Sequence, residues 1–190
     1  MESCLAYYQR VKNSASIGCQ RGFSLIELVV VMAVLAIVTV FAAPSFQTIL
    51  MNSRMSTLND SLFNSLNYAR STALSEKFPV RFCPLGAAGS TVCGTSWASG
   101  WMVVSQPTTG AAVVLQSYQA KTSGPVLSAN GATSILFAIT GLANTQVNFK
   151  ICDSRGATYA RSMMVLATGF IQIGPTAGQA VWNGGALTCP

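Results

Sequence analysis

The most apolar stretch of the chain lies near its N-terminus, over residues 23–43, and Glu27 is its only charged residue. Roughly 20 apolar residues in a row are needed for a helix to cross a bilayer. The apolar core of a cleaved secretory signal is shorter, about 7–15 residues, so this stretch does not fit one. The pattern therefore predicts a membrane-spanning helix over residues 23–43, and an ordinary single-pass anchor is its simplest interpretation.

A second pattern follows Pro44, and in it apolar residues recur every three or four positions. The apolar residues are Met55, Leu58, Leu62, Leu66, Ala69 and Ala73, and the polar residues assigned to the opposite face are Asn59, Asn64, Asn67 and Ser71. This spacing is typical of a helix that packs one face on a protein core. Pro79 disfavours a helical conformation at the residue before it, so we expect one long helix over residues 23–77.

From residue 80 onward, short β-prone runs are separated by Gly, Ser, Thr, Asn and Pro. Seven strands are predicted, over residues 80–83, 101–104, 113–118, 134–138, 146–152, 163–167 and 170–173. Thr168-Gly169 is typical of a tight hairpin turn, and the residues after 173 are expected to form an irregular tail that covers a sheet edge. One docked helix and several short strands predict an α+β fold with antiparallel pairing.

The formal net charge is +6, from 11 basic and 5 acidic residues. Three of the basic residues, Arg10, Lys12 and Arg21, precede the apolar stretch. Basic residues on that side predict a cytoplasmic N-terminus and an exported C-terminal part. Beyond residue 22, eight basic and four acidic residues are scattered, which is more typical of a solvated surface than of a nucleic-acid interface.

The sequence offers few residues for catalysis, since it contains no histidine and only five carboxylate side chains. Ser/His/Asp and Cys/His arrangements are excluded, and no cluster of cysteines has the spacing of a zinc site. Carboxylates that are distant in sequence but paired in space are the remaining catalytic option. We therefore expect a protein that is not an enzyme and that binds no cofactor or metal.

Six cysteines are present, and two of them, Cys4 and Cys19, precede the apolar stretch. The four that belong to the exported part are Cys83, Cys93, Cys152 and Cys189. An even number of cysteines in an oxidising compartment favours disulfides over a zinc site, and three pairings are possible. We prefer Cys83 with Cys93, which closes a short Gly-rich and Ala-rich loop, and Cys152 with Cys189, which attaches the tail.

The start of the apolar stretch, Gly22-Phe23-Ser24-Leu25-Ile26-Glu27-Leu28, resembles the prepilin peptidase signature of type IV pilins and type II secretion pseudopilins. An ionisable residue in a membrane helix costs free energy, and an ordinary anchor has no use for one. The resemblance implies cleavage between Gly22 and Phe23, methylation of the new Phe23 amine, and a role for Glu27 in assembly. It also implies a pilin-like fold, with other major and minor pilin subunits, the prepilin peptidase and the bacterial inner membrane as partners.

The resemblance divides the chain into a cleaved leader over residues 1–22, a transmembrane and filament-core helix over residues 23–43, and a part outside the cytoplasm over residues 44–190. The last part combines the amphipathic half of the long helix with a β-rich pilin head in the periplasm. After assembly, the resemblance places the subunit in a pilus or a pseudopilus.

Later motifs resemble the GspH/FimT family of minor pilins and minor pseudopilins. They are Asn67-Tyr68-Ala69-Arg70-Ser71-Thr72-Ala73, Pro79-Val80, Cys83-Pro84, Gly100-Trp101 and Cys152-Asp153-Ser154-Arg155-Gly156. The resemblance implies a minor pilin that primes pilus assembly or lies at the tip, serving twitching motility, adhesion or natural transformation. A GspH-like minor pseudopilin of a type II secretion system is the alternative.

A third interpretation is a DNA-binding pilin for competence, because some FimT-type members bind DNA through a Gly-Arg-x-Arg element after the last hairpin. The matching stretch here, Gly169-Phe170-Ile171-Gln172, contains no arginine. Phosphate contacts would then have to come from Lys150, Arg155 and Arg161, or from Lys121 elsewhere in the head.

Overall fold

The computed structural model describes residues 23–189, except for the side chains of residues 40–44. The predicted leader over residues 1–22, with Gly22 at its cleavage site, lies outside the described residues. The chain divides into two compact units, Met1–Ser45 and Phe46–Pro190.

A long helix, α1, spans Leu25–Glu76 and agrees with the single helix expected from the two apolar patterns. It begins directly after Ser24, whose carbonyl oxygen accepts a hydrogen bond from the amide of Leu28 at 3.1 Å. It ends before Lys77, which has a left-handed backbone with φ of 57°. A left-handed residue commonly closes a helix, and Pro79 prevents the helix from resuming.

Among the residues that the structure describes, no helix is both long enough and apolar enough to cross a membrane. The span predicted over residues 23–43 extends into residues 40–43, whose side chains lie outside the described part of the chain. The membrane-spanning helix therefore stays a prediction.

The second unit contains the strands. Within residues 46–189 they are β1 Val80–Pro84, β2 Gly100–Ser105, β3 Val114–Gln119, β4 Val126–Ala129, β5 Ile135–Phe137, β6 Val147–Cys152, β7 Arg161–Val165 and β8 Ile171–Ile173. The first sheet has the order β3-β2-β1-β5 and the second sheet the order β4-β6-β7-β8. Every pairing between these described strands is antiparallel, which confirms the predicted α+β class.

The core of the second unit lies between α1 and the two sheets. The six apolar residues predicted for the packed face of α1 are at most 4% exposed. They form one cluster with residues of both sheets, including Phe82 of β1 and Phe149 of β6. Burial of a leucine-sized side chain contributes roughly 1.5–3 kcal/mol to stability, so this helix face holds the two sheets together. Asn59 is a correction, because the pattern assigned it to the polar face and it is only 9% exposed.

Trp97 lies in a short 3₁₀ turn before β2 and closes the core from the loop side. Its ring stacks on Phe82 with centroids 5.7 Å apart and meets the ring of Phe149 edge-on at 5.1 Å. Its Nε1 donates a hydrogen bond to the carbonyl oxygen of Ala132 at 3.0 Å. A buried indole with its N–H paired is a core residue, although Trp97 belongs to a Gly-rich loop in the sequence.

The predicted turn at Thr168-Gly169 is confirmed and joins β7 to β8. The amide of Gly169 donates to the carbonyl oxygen of Leu166 at 2.8 Å, and Gly169 has a φ of 77°. A Cβ atom at this position would lie 1.9 Å from the carbonyl oxygen of Gly141. Both the backbone conformation and the space therefore require glycine.

The C-terminal tail, residues 174–189, continues beside β7, where the amide of Gly174 donates to the carbonyl oxygen of Ser162 at 2.8 Å, and it also covers a face of the second sheet. Lys150 and Ser162 are cross-strand partners on the face opposite Phe149 and the core. Ser162 Oγ donates to the carbonyl oxygen of Gln179 at 2.8 Å and accepts from the amide of Val181 at 3.0 Å. The strand pattern could not reveal this, because the polar residues to which the tail binds look like solvent-facing positions.

Candidate functional site

The N-terminal part of α1 carries a continuous run of exposed apolar side chains. Every residue over 23–39 is exposed, and the exposed fractions of Phe23 and Leu25 reach 80% and 81%. Helices that are apolar on all sides occur inside membranes or inside assemblies, because exposed apolar surface costs roughly 25 cal/mol per Å². The other described residues do not cover this segment.

Glu27 lies in the first turn of α1 and carries the single charge of this apolar segment. Its side chain is exposed and makes no hydrogen bond or ion pair with any other residue that the structure describes. A carboxylate is favoured in the first turn because the helix N-terminus carries a partial positive charge. The carboxylate is therefore favoured at the start of the helix, and no described residue pairs with it.

The cysteines are paired as the sequence analysis preferred. Cys83 is bonded to Cys93 with Cα atoms 5.8 Å apart, and Cys152 is bonded to Cys189 with Cα atoms 5.9 Å apart. The first bond holds its loop over a small apolar cluster on the outer face of the first sheet, which includes Met102. The described residues contain no cluster of cysteine, aspartate or glutamate that could hold a metal ion.

Arg155 is fixed in the loop that follows β6. Its Nε and Nη2 donate to Oδ2 of Asp153 at 3.0 and 2.6 Å, and its Nη1 donates to Oδ1 of Asn52 at 2.7 Å. The guanidinium also lies 4.2 Å from the centre of the Tyr159 ring. Because these contacts use donors on all three nitrogens and one face of the guanidinium, Arg155 attaches its loop to α1 and is poorly placed to contact a phosphate.

The other two predicted DNA contacts lie on opposite faces of the second sheet. Ile151 pairs with Arg161, and Lys150 pairs with Ser162, so the two basic side chains leave the sheet in opposite directions. The ammonium of Lys150 donates to the backbone carbonyl oxygen of Thr188. The structure therefore does not bring Lys150, Arg155 and Arg161 together into one basic surface.

A cavity of about 350 Å³ lies between α1 and the connection from β3 to β4. It is lined by two basic residues that the sequence did not predict to lie at one site. Arg54 of α1 and Lys121 of the connection both line it, together with Leu58 and Tyr118. Neither basic side chain has a hydrogen bond or ion pair with another described residue. Arg54 appeared in the sequence as an isolated charge, and only the fold brings it close to Lys121.

The chain was compared with known proteins. A family model described as Type II transport protein GspH matches residues 59–169, and one described as Prokaryotic N-terminal methylation motif matches residues 17–43. The comparison with curated proteins gives no significant match.

Two crystal structures of the type IV minor pilin FimU from Pseudomonas aeruginosa are similar to the chain. The structure in space group P65 is 22% identical, covers 67% of this chain and 97% of its own, and has a TM-score of 0.50. The structure in space group P21 is 21% identical, covers 70% of this chain and 96% of its own, and has a TM-score of 0.52. At this level of identity, the likeness shows a pilin-like fold.

The GspH match covers more than half of the 190 residues, and the methylation motif overlaps the exposed apolar segment and Glu27. The family and the fold are those of structural subunits, so the chain is not an enzyme. The chain belongs to the GspH family, whose members are minor pilins and pseudopilins of type IV pili and type II secretion systems.

Proposed function

We propose that the chain is a minor pilin that helps to initiate a type IV pilus or to form its tip. The observation that carries this proposal is the apolar helix segment, exposed over residues 23–39, with Glu27 in its first turn. In the proposed life cycle, lipid covers this segment first, and the helices of neighbouring subunits cover it after assembly.

Maturation begins at the junction between leader and helix. The prepilin peptidase cleaves between Gly22 and Phe23 at the cytoplasmic side, and the new amine of Phe23 is methylated. The subunit then spans the bacterial inner membrane once, through residues 23–43, with its head in the periplasm. The methylation motif matched over residues 17–43 supports this step.

Glu27 acts between subunits. In the filament, its carboxylate pairs with the Phe23 amine of a neighbour, in surroundings of low dielectric constant where opposite charges attract strongly. A charge left unpaired in such surroundings is costly, so correct docking is favoured over other positions along the helix. The absence of any partner for Glu27 among the residues described in this chain supports an intermolecular role.

The test is the mass of the mature N-terminus. The full chain is produced with and without an active prepilin peptidase, and the N-terminal peptide is identified by mass spectrometry. We expect a methylated Phe23 terminus only with the peptidase, and no processing of a Gly22→Val variant. A chain that keeps its first 22 residues beside a peptidase shown to cleave another prepilin would refute the proposal.

A minor pseudopilin of a type II secretion system is the second candidate, favoured by the description of the matched family as a type II transport protein. The two candidates share the processing step and differ in the filament. Deletion of the gene would separate them, because loss of surface pili with normal secretion supports the first, and loss of secretion with normal pili supports the second.

A further inference from the structure

A cavity of about 400 Å³ lies on the outer face of the second sheet, under the C-terminal tail. Asn148 and Lys150 of β6 line it from the sheet, and Trp182, Asn183 and Thr188 line it from the tail. Its volume is within the range of cavities that bind small ligands, about 300–1,000 Å³. Neither the apolar segment of α1 nor the predicted DNA contacts Arg155 and Arg161 contribute to it.

The polar side chains of this cavity include hydrogen-bond donors that no other described residue uses. Oδ1 of Asn148 accepts from Nε2 of Gln146 at 3.3 Å, and Oδ1 of Asn183 accepts from the amide of Gly185 at 3.0 Å. Asn130 also lines the cavity. The side-chain nitrogens, Nδ2, of these asparagines make no hydrogen bond with any residue in the described part of the chain, so they can donate to a ligand.

The charge of the cavity disfavours a cationic ligand and does not require an anionic one. Lys150 is the one charged residue among the described residues that line it. Its ammonium donates to the backbone carbonyl oxygen of Thr188, which holds the tail against the sheet. The ammonium keeps its charge and two further N–H donors, from which a hydroxyl or acetamido oxygen can accept, whereas a cationic ligand would find no carboxylate.

Trp182 supplies an aromatic wall. It is partly buried against a small cluster that contains Cys152, Ala180 and Leu187, and it also lines the cavity. Trp97 and Trp101 are 6% and 0% exposed, so Trp182 is the tryptophan that a ligand can reach.

An aromatic ring beside several N–H donors matches the chemistry of a sugar. The C–H face of a pyranose ring packs on an aromatic face, and its hydroxyl or acetamido oxygens accept hydrogen bonds from amides. We propose that this cavity is a binding site for a short segment of a neutral oligosaccharide, with Trp182 as the stacking platform and Asn130, Asn148 and Asn183 as donors.

The fold keeps the two walls of the site in place before a ligand arrives. The tail is attached to β6 by the Cys152–Cys189 disulfide and to β7 by the hydrogen bonds of Ser162. Walls that are already ordered need not lose much conformational entropy on binding, which favours affinity.

The experiment is calorimetric titration of the full chain, solubilised in a detergent without a sugar head group. The probes are an N-acetylglucosamine tetramer and a glucose tetramer, which distinguish acetamido recognition from hydroxyl recognition. We expect saturable binding of at least one of them, with a change in tryptophan fluorescence that is lost in Trp182→Ala. Trp182→Ala and Asn148→Ala should each weaken binding about tenfold or more, and the exposed helix variant Asn64→Ala should not.

Asn148→Ala keeps the test decisive if Trp182→Ala disturbs the tail, because Asn148 belongs to the central strand β6. Circular dichroism establishes that each variant is folded. Failure of both tetramers to bind at millimolar concentration, or binding that Trp182→Ala and Asn148→Ala leave unchanged in folded protein, would overturn the proposal.

Discussion

Nη2 of Arg155 lies 2.6 Å from Oδ2 of Asp153, and the two side chains are only 14% and 8% exposed. The same guanidinium donates to Oδ1 of Asn52 in α1, so a loop after β6 is attached to the helix about one hundred residues earlier. This arrangement gives Arg155 a structural role that the motif Cys152-Asp153-Ser154-Arg155-Gly156 did not reveal.

Replacing Arg155 should therefore lower the stability of the head. We expect Arg155→Ala to reduce the free energy of unfolding by about 1.5–3 kcal/mol, because hydrogen bonds to a charged group are lost and the Asp153 carboxylate loses its ion pair. Urea unfolding of Arg155→Ala, Asp153→Ala and the double variant measures the coupling between the two residues. Effects that simply add would show that the pair does not stabilise the loop.

The disulfides should differ in their contributions, because they close loops of different length. Their sequence separations are 10 for Cys83–Cys93 and 37 for Cys152–Cys189. Loop-closure entropy predicts losses of about 3 and about 4 kcal/mol when each pair is replaced by serines. Urea unfolding of the two double variants tests this order. A larger loss for the shorter loop would show that native contacts, not chain entropy, dominate.

Asn59 is expected to make the head less stable than an apolar residue at the same position would. Its Oδ1 is buried and accepts no hydrogen bond from any residue in the described part of the chain. Asn59→Leu should raise the free energy of unfolding by about 1–3 kcal/mol, since an unpaired buried polar group is replaced by an apolar one. Asn64→Leu, at an exposed position of the same helix, is the matched control and should have little effect. Destabilisation by Asn59→Leu would show that the amide is needed.

The difference between Asn59 and its apolar neighbours shows what the sequence could predict. The spacing of Met55, Leu58 and Leu62 determined which face of α1 is buried, because a helix has a fixed period. The same period puts Asn59 four residues after Met55 and three before Leu62, on the buried face. Its assignment to the opposite face followed its polarity and not its position, and was wrong for that reason.

Strand β4, Val126–Ala129, was missed for a related reason. It has four residues, and Ser128 and Ala129 are not strongly β-prone. Its conformation follows from pairing with β6, since Leu127 lies opposite Ile151 and joins the core. Likewise, the cavity under the tail depends on Trp182 and Asn148, which are far apart in sequence and show no shared pattern.

The predicted DNA contacts can be tested as a group. Retention of duplex DNA by the full chain, measured across a salt series, should change little when Lys150, Arg155 and Arg161 are replaced by glutamine, because they do not form one surface. Each lost phosphate contact would otherwise reduce the salt slope by about 0.9. If the salt slope of the folded triple variant is smaller by about 2 or more, the competence-pilin interpretation would be restored.

The last prediction concerns Glu27 and separates assembly from processing. We expect Glu27→Ala to be cleaved after Gly22 and inserted as the natural chain is, because the proposed role of the carboxylate lies between subunits, after cleavage. Filament incorporation should be strongly reduced, since the Phe23 amine of a neighbouring subunit then lacks its partner in surroundings of low dielectric constant. Both properties are measured in the same cells, by mass spectrometry of the membrane fraction and by immunodetection in sheared filaments.

Asp60→Ala is the matched control for this experiment, because Asp60 is an exposed carboxylate on the same helix outside the apolar segment. It should leave incorporation unchanged, so that a defect of Glu27→Ala alone assigns the effect to the position of the charge and not to net charge. Normal incorporation of Glu27→Ala would contradict the intermolecular ion pair and leave the apolar surface as the sole force for docking. If Glu27→Gln, which keeps the shape and loses the charge, behaves like Glu27→Ala, the carboxylate charge itself is what the neighbouring subunit recognises.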